Sequence, residues 1–135
     1  MKKTISLRVV RGYAGIVGAM DLATGLGLVA MPAFTLAQLG AAVPGAEALG
    51  YVRFSGVFVG AVGASYLVAL ARGGVARLRG ALEFTLIARA GAGGFSAVAV
   101  AAGWFDRAWL IVAATDLTCA AVQAWMLARG IQDDE

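Results

Sequence analysis

Apolar residues along the chain fall into four long runs, each closed by glycine, proline or charge. The runs cover about 12–31, 52–71, 81–103 and 108–128. Each is close to the ~20 residues an α-helix needs to cross a hydrocarbon core of ~30 Å. Inside lipid the backbone has no water to bond to, so every N–H and C=O must be satisfied within the segment, which selects helices. The pattern predicts an all-α, four-helix transmembrane bundle, with one domain over 1–135.

The polar positions define the connections. Pro32 stops the first run, and a connector with Pro44, Gly45 and Glu47 follows; within it, Phe34 to Leu39 reads as a short interfacial helix. Arg72, Arg77 and Arg79 read as a basic loop between the second and third runs. Trp104-Phe105-Asp106-Arg107 reads as a tight turn before the fourth, and the chain closes on Asp133-Asp134-Glu135. The opening Met1-Lys2-Lys3 with Arg8 and Arg11 has the character of a signal-peptide n-region. The apolar run behind it is too long for an h-region, carries Asp21 and lacks a clean A-x-A site. It is read as a retained first helix, with cleavage after Ala37 as the alternative.

Composition makes the same point from another side. The 135 residues are 61% hydrophobic and only 14% charged, against about 25% charged in soluble domains. Mean hydropathy is +0.83. A chain this short has too little interior to hide that much apolar surface, so lipid or partner subunits must cover it. The net charge of +3 does not point to nucleic acid, because the basic residues punctuate the apolar runs. Lys2, Lys3, Arg8, Arg11, Arg72, Arg77, Arg79 and Arg129 fall on one side of the predicted membrane, and only Arg53 and Arg107 on the other. The positive-inside rule then predicts that both termini are cytoplasmic. Tyr51, Trp104 and Trp109 fall at the outer interface, where amphipathic rings prefer to sit.

A faint repeat runs through the chain. Arg11-Gly12 and Arg79-Gly80 open the first and third runs; Leu70-Ala71-Arg72-Gly73 and Leu127-Ala128-Arg129-Gly130 close the second and fourth. The reading is two helical hairpins related by an axis along the membrane normal, the alternative being chance in an Ala-, Gly- and Arg-rich sequence.

Candidate chemistry is sparse. There is no histidine and a single cysteine, Cys119, which excludes bis-histidine haem, the usual zinc and copper sites, and histidine-based triads. No metal site, intrinsic cofactor or complete catalytic group emerges. Three ionisable residues do sit deep in the spans: Asp21, Arg89 and Asp116. Each costs about 2.5–3.5 kcal/mol at a helix centre on insertion scales when left alone. Counting from Arg11, Arg79 and Arg129, all three lie roughly 15–19 Å from one membrane face at 1.5 Å per residue. The planar fork of Arg89 suits two carboxylates, so an Asp21–Arg89–Asp116 cluster is expected.

Helical spacing supports that cluster. Ala14, Gly18, Asp21 and Gly25 share one face; so do Thr85, Arg89 and Ser96, and Trp109, Asp116 and Gln123. Gly56, Gly60 and Gly63 form a G-x-x-x-G packing face in the second run. Glu83 is expected to pair with Arg79 or Arg72, and Arg53 to snorkel to the outer surface. The functional reading of Asp21, Arg89 and Asp116, with Gln123 and Thr85, is a polar pocket for a quinone, a lipid headgroup or another small ligand, or a proton relay. The structural reading is an ion-pair network that sets helix register.

Gly25 to Pro32 closing the first run, Arg53-Phe54-Ser55-Gly56 with Gly60 and Gly63 in the second, and Arg89 in the third resemble the DoxX-like group of small four-helix bacterial membrane proteins. That resemblance implies the four-helix fold and a link to membrane redox complexes and quinone-dependent sulfur oxidation. The chain has no redox cysteine pair to match such an activity by itself. Three roles follow as expectations. The leading one is an accessory subunit of a larger membrane complex, electron-transfer or quinone-linked. The second is a stand-alone protein that binds or transports a quinone or lipid, expected as a homo-oligomer. The third is a lipid-directed enzyme, which would have to work with Asp, Glu or Tyr.

Overall fold

The computed structural model describes residues 4–132. Lys2, Lys3, Asp133, Asp134 and Glu135 lie outside the described residues. The element order is β1 (Ile5–Ser6), α1 (Leu7–Ala30), α2 (Pro32–Gln38), α3 (Ala46–Arg72), α4 (Val75–Ala101), a 3-10 turn (Arg107–Trp109), α5 (Leu110–Arg129) and β2 (Ile131–Gln132). Four of these helical stretches are long and apolar enough to cross a membrane, and at most 33% of any of their apolar cores is buried inside the chain. Ile16, Leu26, Phe54, Phe84, Ile87 and Val98 all face outward. An outer surface of that kind is stable against lipid and not against water.

The helices overrun the expected spans at their starts. α1 begins at Leu7, α3 at Ala46 and α4 at Val75, because polar first turns continue a helix beyond the apolar core at little cost. The expected basic loop is the clearest correction: Arg77 and Arg79 lie on α4, and only Gly73 and Gly74 link α3 to it. Both glycines hold positive φ, 70° and 89°, which side chains with a Cβ resist, so the chain reverses in two residues. The turn expected at Trp104 to Arg107 instead runs from Ala102 to Asp106, and Arg107 opens the 3-10 turn. At the end of α1 the backbone breaks at Met31, and Pro32 opens α2, where its missing N–H costs no helix bond.

α1 packs closely along α3, and α4 along α5, giving two hairpins that meet side by side. Their buried positions repeat. The shift that carries Asp21 to Arg89 also carries Val10, Ala14, Val17, Gly25 and Leu28 to Leu78, Leu82, Thr85, Gly93 and Ser96, all buried. Gly18 is the exception, since its counterpart Leu86 is only half-buried. The shift that carries Tyr66 to Gln123 carries Gly56, Gly63 and Ala69 to Ala113, Ala120 and Met126, the full buried set of both helices. Gly73 and Gly130 close α3 and α5 alike, each donating its N–H to a carbonyl of the last turn.

Two apolar clusters occupy opposite ends of the bundle. One joins Ile5, Val10, Ala14, Val17, Tyr66, Ala69, Leu78, Leu82 and Met126. The other sets Leu28, Leu36 and Ala41 against Val52, Ala108 and Trp109. Each end also carries a polar tie. Ile5–Ser6 pairs in parallel with Ile131–Gln132, a two-residue ladder that joins the start of α1 to the end of α5. At the far end Asp106 accepts hydrogen bonds from the Ala42 and Ala108 amides, both at 2.9 Å.

Candidate functional site

Between the two apolar ends, Asp21, Arg89 and Asp116 come together. Arg89 Nη2 donates to Asp21 Oδ2, Nη1 donates to Asp116 Oδ1 at 2.6 Å, and Nε donates to the Tyr66 hydroxyl at 3.2 Å. The guanidinium also lies 5.8 Å from the centre of the Tyr66 ring. Arg89 is thus held on three sides by α1, α3 and α5 while itself belonging to α4. The planar fork makes this possible, since its N–H groups diverge in fixed directions. In lipid, each of these charges alone would cost kilocalories, and pairing offsets that cost.

The close approach that builds the site comes from glycine. A Cβ on Gly63 would overlap the α1 backbone at Gly18, Asp21 and Leu22, and one on Gly25 would overlap the α3 backbone at Gly56 and Gly60. In the second hairpin a Cβ on Gly93 would meet Asp116 Cβ at 3.1 Å and Leu117 Cγ at 2.9 Å. Absence of those side chains lets Asp21 and Asp116 both reach Arg89. Gly60 plays a smaller part: a Cβ there would make only ordinary contact, 3.8 Å from the Gly25 Cα. The glycine face of α3 is therefore occupied by α1 of the same chain.

A cavity of about 170 Å³ opens beside the charges. Asp21, Arg89 and Asp116 line its polar side, and Phe58, Val59, Val62, Ala88 and Ala92 form its apolar walls. Phe58 and Ala92 are exposed on the outer surface, so the cavity opens sideways between α3 and α4. Its mouth lies along the apolar outer face of the bundle. Repeat symmetry is broken here, since Val59 of α3 and Asp116 of α5 are counterparts under the Tyr66-to-Gln123 shift.

Thr85 and Gln123 lie elsewhere. Gln123 Nε2 donates to Thr85 Oγ1 at 2.6 Å and to the Leu82 carbonyl at 3.2 Å, while Thr85 donates to the Ala81 carbonyl at 2.7 Å. This pair ties α4 to α5 away from the cavity. Gln123 Oε1 is buried with no hydrogen-bond partner among the described residues. Ser96 is buried beyond Arg89 on α4 and does not line the cavity. Trp109 packs on the Leu28 cluster at the far end of the bundle. Glu83 pairs with Arg79 at 2.9 Å, one turn apart on α4. Arg53 is exposed and donates Nη1 to the Val29 and Ala30 carbonyls. Those are among the last carbonyls of α1, which lack helical partners and attract a cation.

Sequence reasoning missed Tyr66 and the cavity walls. Tyr66 follows Gly63 by three positions on the buried face of α3, so helical spacing could have found it. Tyr13 was missed too; its hydroxyl donates to the Cys119 carbonyl at 3.3 Å, and its ring meets Tyr66 edge-on at 6.4 Å. The wall residues have no sequence signature, being ordinary apolar side chains. No family model, curated protein or solved structure matches the chain.

Proposed function

We propose that this is a multi-pass protein of a bacterial cytoplasmic membrane that holds a small lipophilic ligand at its midplane, with both chain ends on the cytoplasmic side. The observation that carries the reading is the cavity lined by Asp21, Arg89 and Asp116 and open between α3 and α4. A purely structural ion network gains nothing from an adjoining void, because unfilled space forfeits dispersion contacts. A few polar groups converging in an otherwise apolar pocket is the usual make-up of a ligand site. Cytoplasmic termini rest on the clustering of Arg8, Arg11, Arg72, Arg77, Arg79 and Arg129 at one end of the bundle. Kinship with the DoxX-like families is part of the same proposal, on the motif residues alone.

An accessory role in a larger membrane complex is the second reading. What favours it is the outer face of α4, where Gly91 and Gly94 have open space around them, a surface suited to close contact with another helix. The two readings separate on gentle purification followed by native mass spectrometry. A bound small molecule, lost when Ala92→Phe fills the cavity, is the expected result. Stoichiometric membrane proteins retained in place of a small molecule would favour the accessory role. A ligand retained unchanged by Ala92→Phe would overturn the cavity as its site.

A further inference from the structure

The charges around the cavity do not balance. One guanidinium faces two carboxylates, a formal charge of −1 in a site walled by Phe58, Val59, Val62, Ala88 and Ala92. The exposures of the three side chains are unequal in the same sense: 3% for Arg89, 12% for Asp21 and 18% for Asp116. Arg89 lines the cavity too but is the most enclosed of the three, and the carboxylates present more of their surface to it. Each carboxylate spends one oxygen on Arg89. Asp21 Oδ1 and Asp116 Oδ2 have no hydrogen-bond partner among the described residues. The open side of the site therefore offers acceptors and negative charge.

That decides between ligand chemistries. A quinone or ester carbonyl is itself an acceptor: it finds only the two Arg89 N–H groups not spent on Asp21, Asp116 and Tyr66, on a side chain 3% exposed, and gives the two free carboxylate oxygens no donor. A phosphate or carboxylate head would meet like charge at low dielectric, where repulsion is strong. A protonated amine supplies N–H donors for both free oxygens and brings the local charge to zero. Charge-assisted hydrogen bonds of this kind are the strong ones. Phe58 at the mouth adds a ring on which a cation can rest.

Resting on the reading of this cavity as a binding site, we infer that its ligand is a lipophilic amine, with the ammonium head between Asp21 and Asp116 and the apolar tail passing out between α3 and α4. The mouth toward lipid suits a molecule that arrives through the bilayer.

Dodecylamine, protonated at neutral pH, tests this with the full chain in nanodiscs of zwitterionic lipid. Binding is measured by native mass spectrometry and titration calorimetry, beside dodecanol, dodecanoate and a decyl-substituted benzoquinone. The expected result is saturable amine binding, weaker by at least about tenfold in Asp116→Asn, with the three other probes weaker than the amine. Asparagine keeps an acceptor for Arg89 and removes only the charge; Asp21→Asn carries the same test should Asp116→Asn not fold. Identical lipid cancels partitioning between variants, and each probe is scored as its binding in excess of protein-free nanodiscs, which removes its own partitioning. If the quinone or the alcohol binds as tightly as the amine, or if amine affinity is unchanged in both asparagine variants, the amine is the wrong class and the cavity stands as a site for something else. If none of the four probes binds in a way that Ala92→Phe abolishes, the cavity itself is not the site and both readings fall.

Discussion

Asp21 and Arg89 occupy the same buried step of two equivalent helices, and their side chains meet across the bundle. The relationship is a charge-complementary pair built on a repeat: one backbone position, used twice, carries opposite charge in the two hairpins. Helices α1 and α4 both start at the end where β1 and β2 pair, so the two positions lie at one depth. Depth matching in turn lets one guanidinium on α4 reach carboxylates on α1 and α5.

Exchanging the two charges tests that relationship. Asp21→Arg and Arg89→Asp should each be severely destabilising as single changes, by about 3–5 kcal/mol, because each leaves like charges buried together. The double variant restores opposite charge at equivalent positions and should recover part of the loss. Thermal unfolding in detergent, analysed as a double-mutant cycle, is expected to give a coupling above about 1 kcal/mol. Additive losses would mean that the two sites are not interchangeable.

Glycine tolerance should follow the backbone approach and not the G-x-x-x-G spacing. Gly60→Ala is expected to change stability by less than about 1 kcal/mol, since its added Cβ makes only ordinary contact. Gly63→Ala must push α1 away from α3 and should cost several-fold more, on the order of 2–3 kcal/mol, as overpacking does. Melting temperatures of the two variants in one detergent decide it, and equal losses would contradict this packing.

Asp106 is expected to hold the far ends of the hairpins together. Its carboxylate takes the Ala42 and Ala108 amides, from different hairpins. Asp106→Ala should cost about 1–2 kcal/mol, in line with lost helix caps. Amide exchange should speed up at Ala42 as well as at Ala108. Faster exchange at Ala108 alone would reduce Asp106 to a local cap.

Topology is open to a direct check. Reporter fusions at either end of the chain are expected to show cytoplasmic signal, and an insertion near Trp104 the opposite. A cytoplasmic signal at Trp104 would reverse the orientation.

What the sequence determined by itself is the number of spans, their approximate centres and the depth of the three charges. Each follows from one-dimensional rules: ~20 apolar residues per crossing, 1.5 Å per residue, and a high cost for unpaired charge in lipid. Helix ends were less legible, because polar first turns extend a helix without any change in apolar pattern; so Arg77 and Arg79 belong to α4. Tertiary structure decided which neighbours complete the charges, and at what distance. Tyr66 completes the shell of Arg89, while Gln123 and Thr85 turn to each other. Val59 faces the cavity opposite Asp116, although nothing in its identity marks it. Such outcomes depend on how closely two backbones approach, and that is set by Gly18, Gly25, Gly63 and Gly93 acting on partners distant in the chain. A missing Cβ is visible in the sequence; the surface it allows to come near is not.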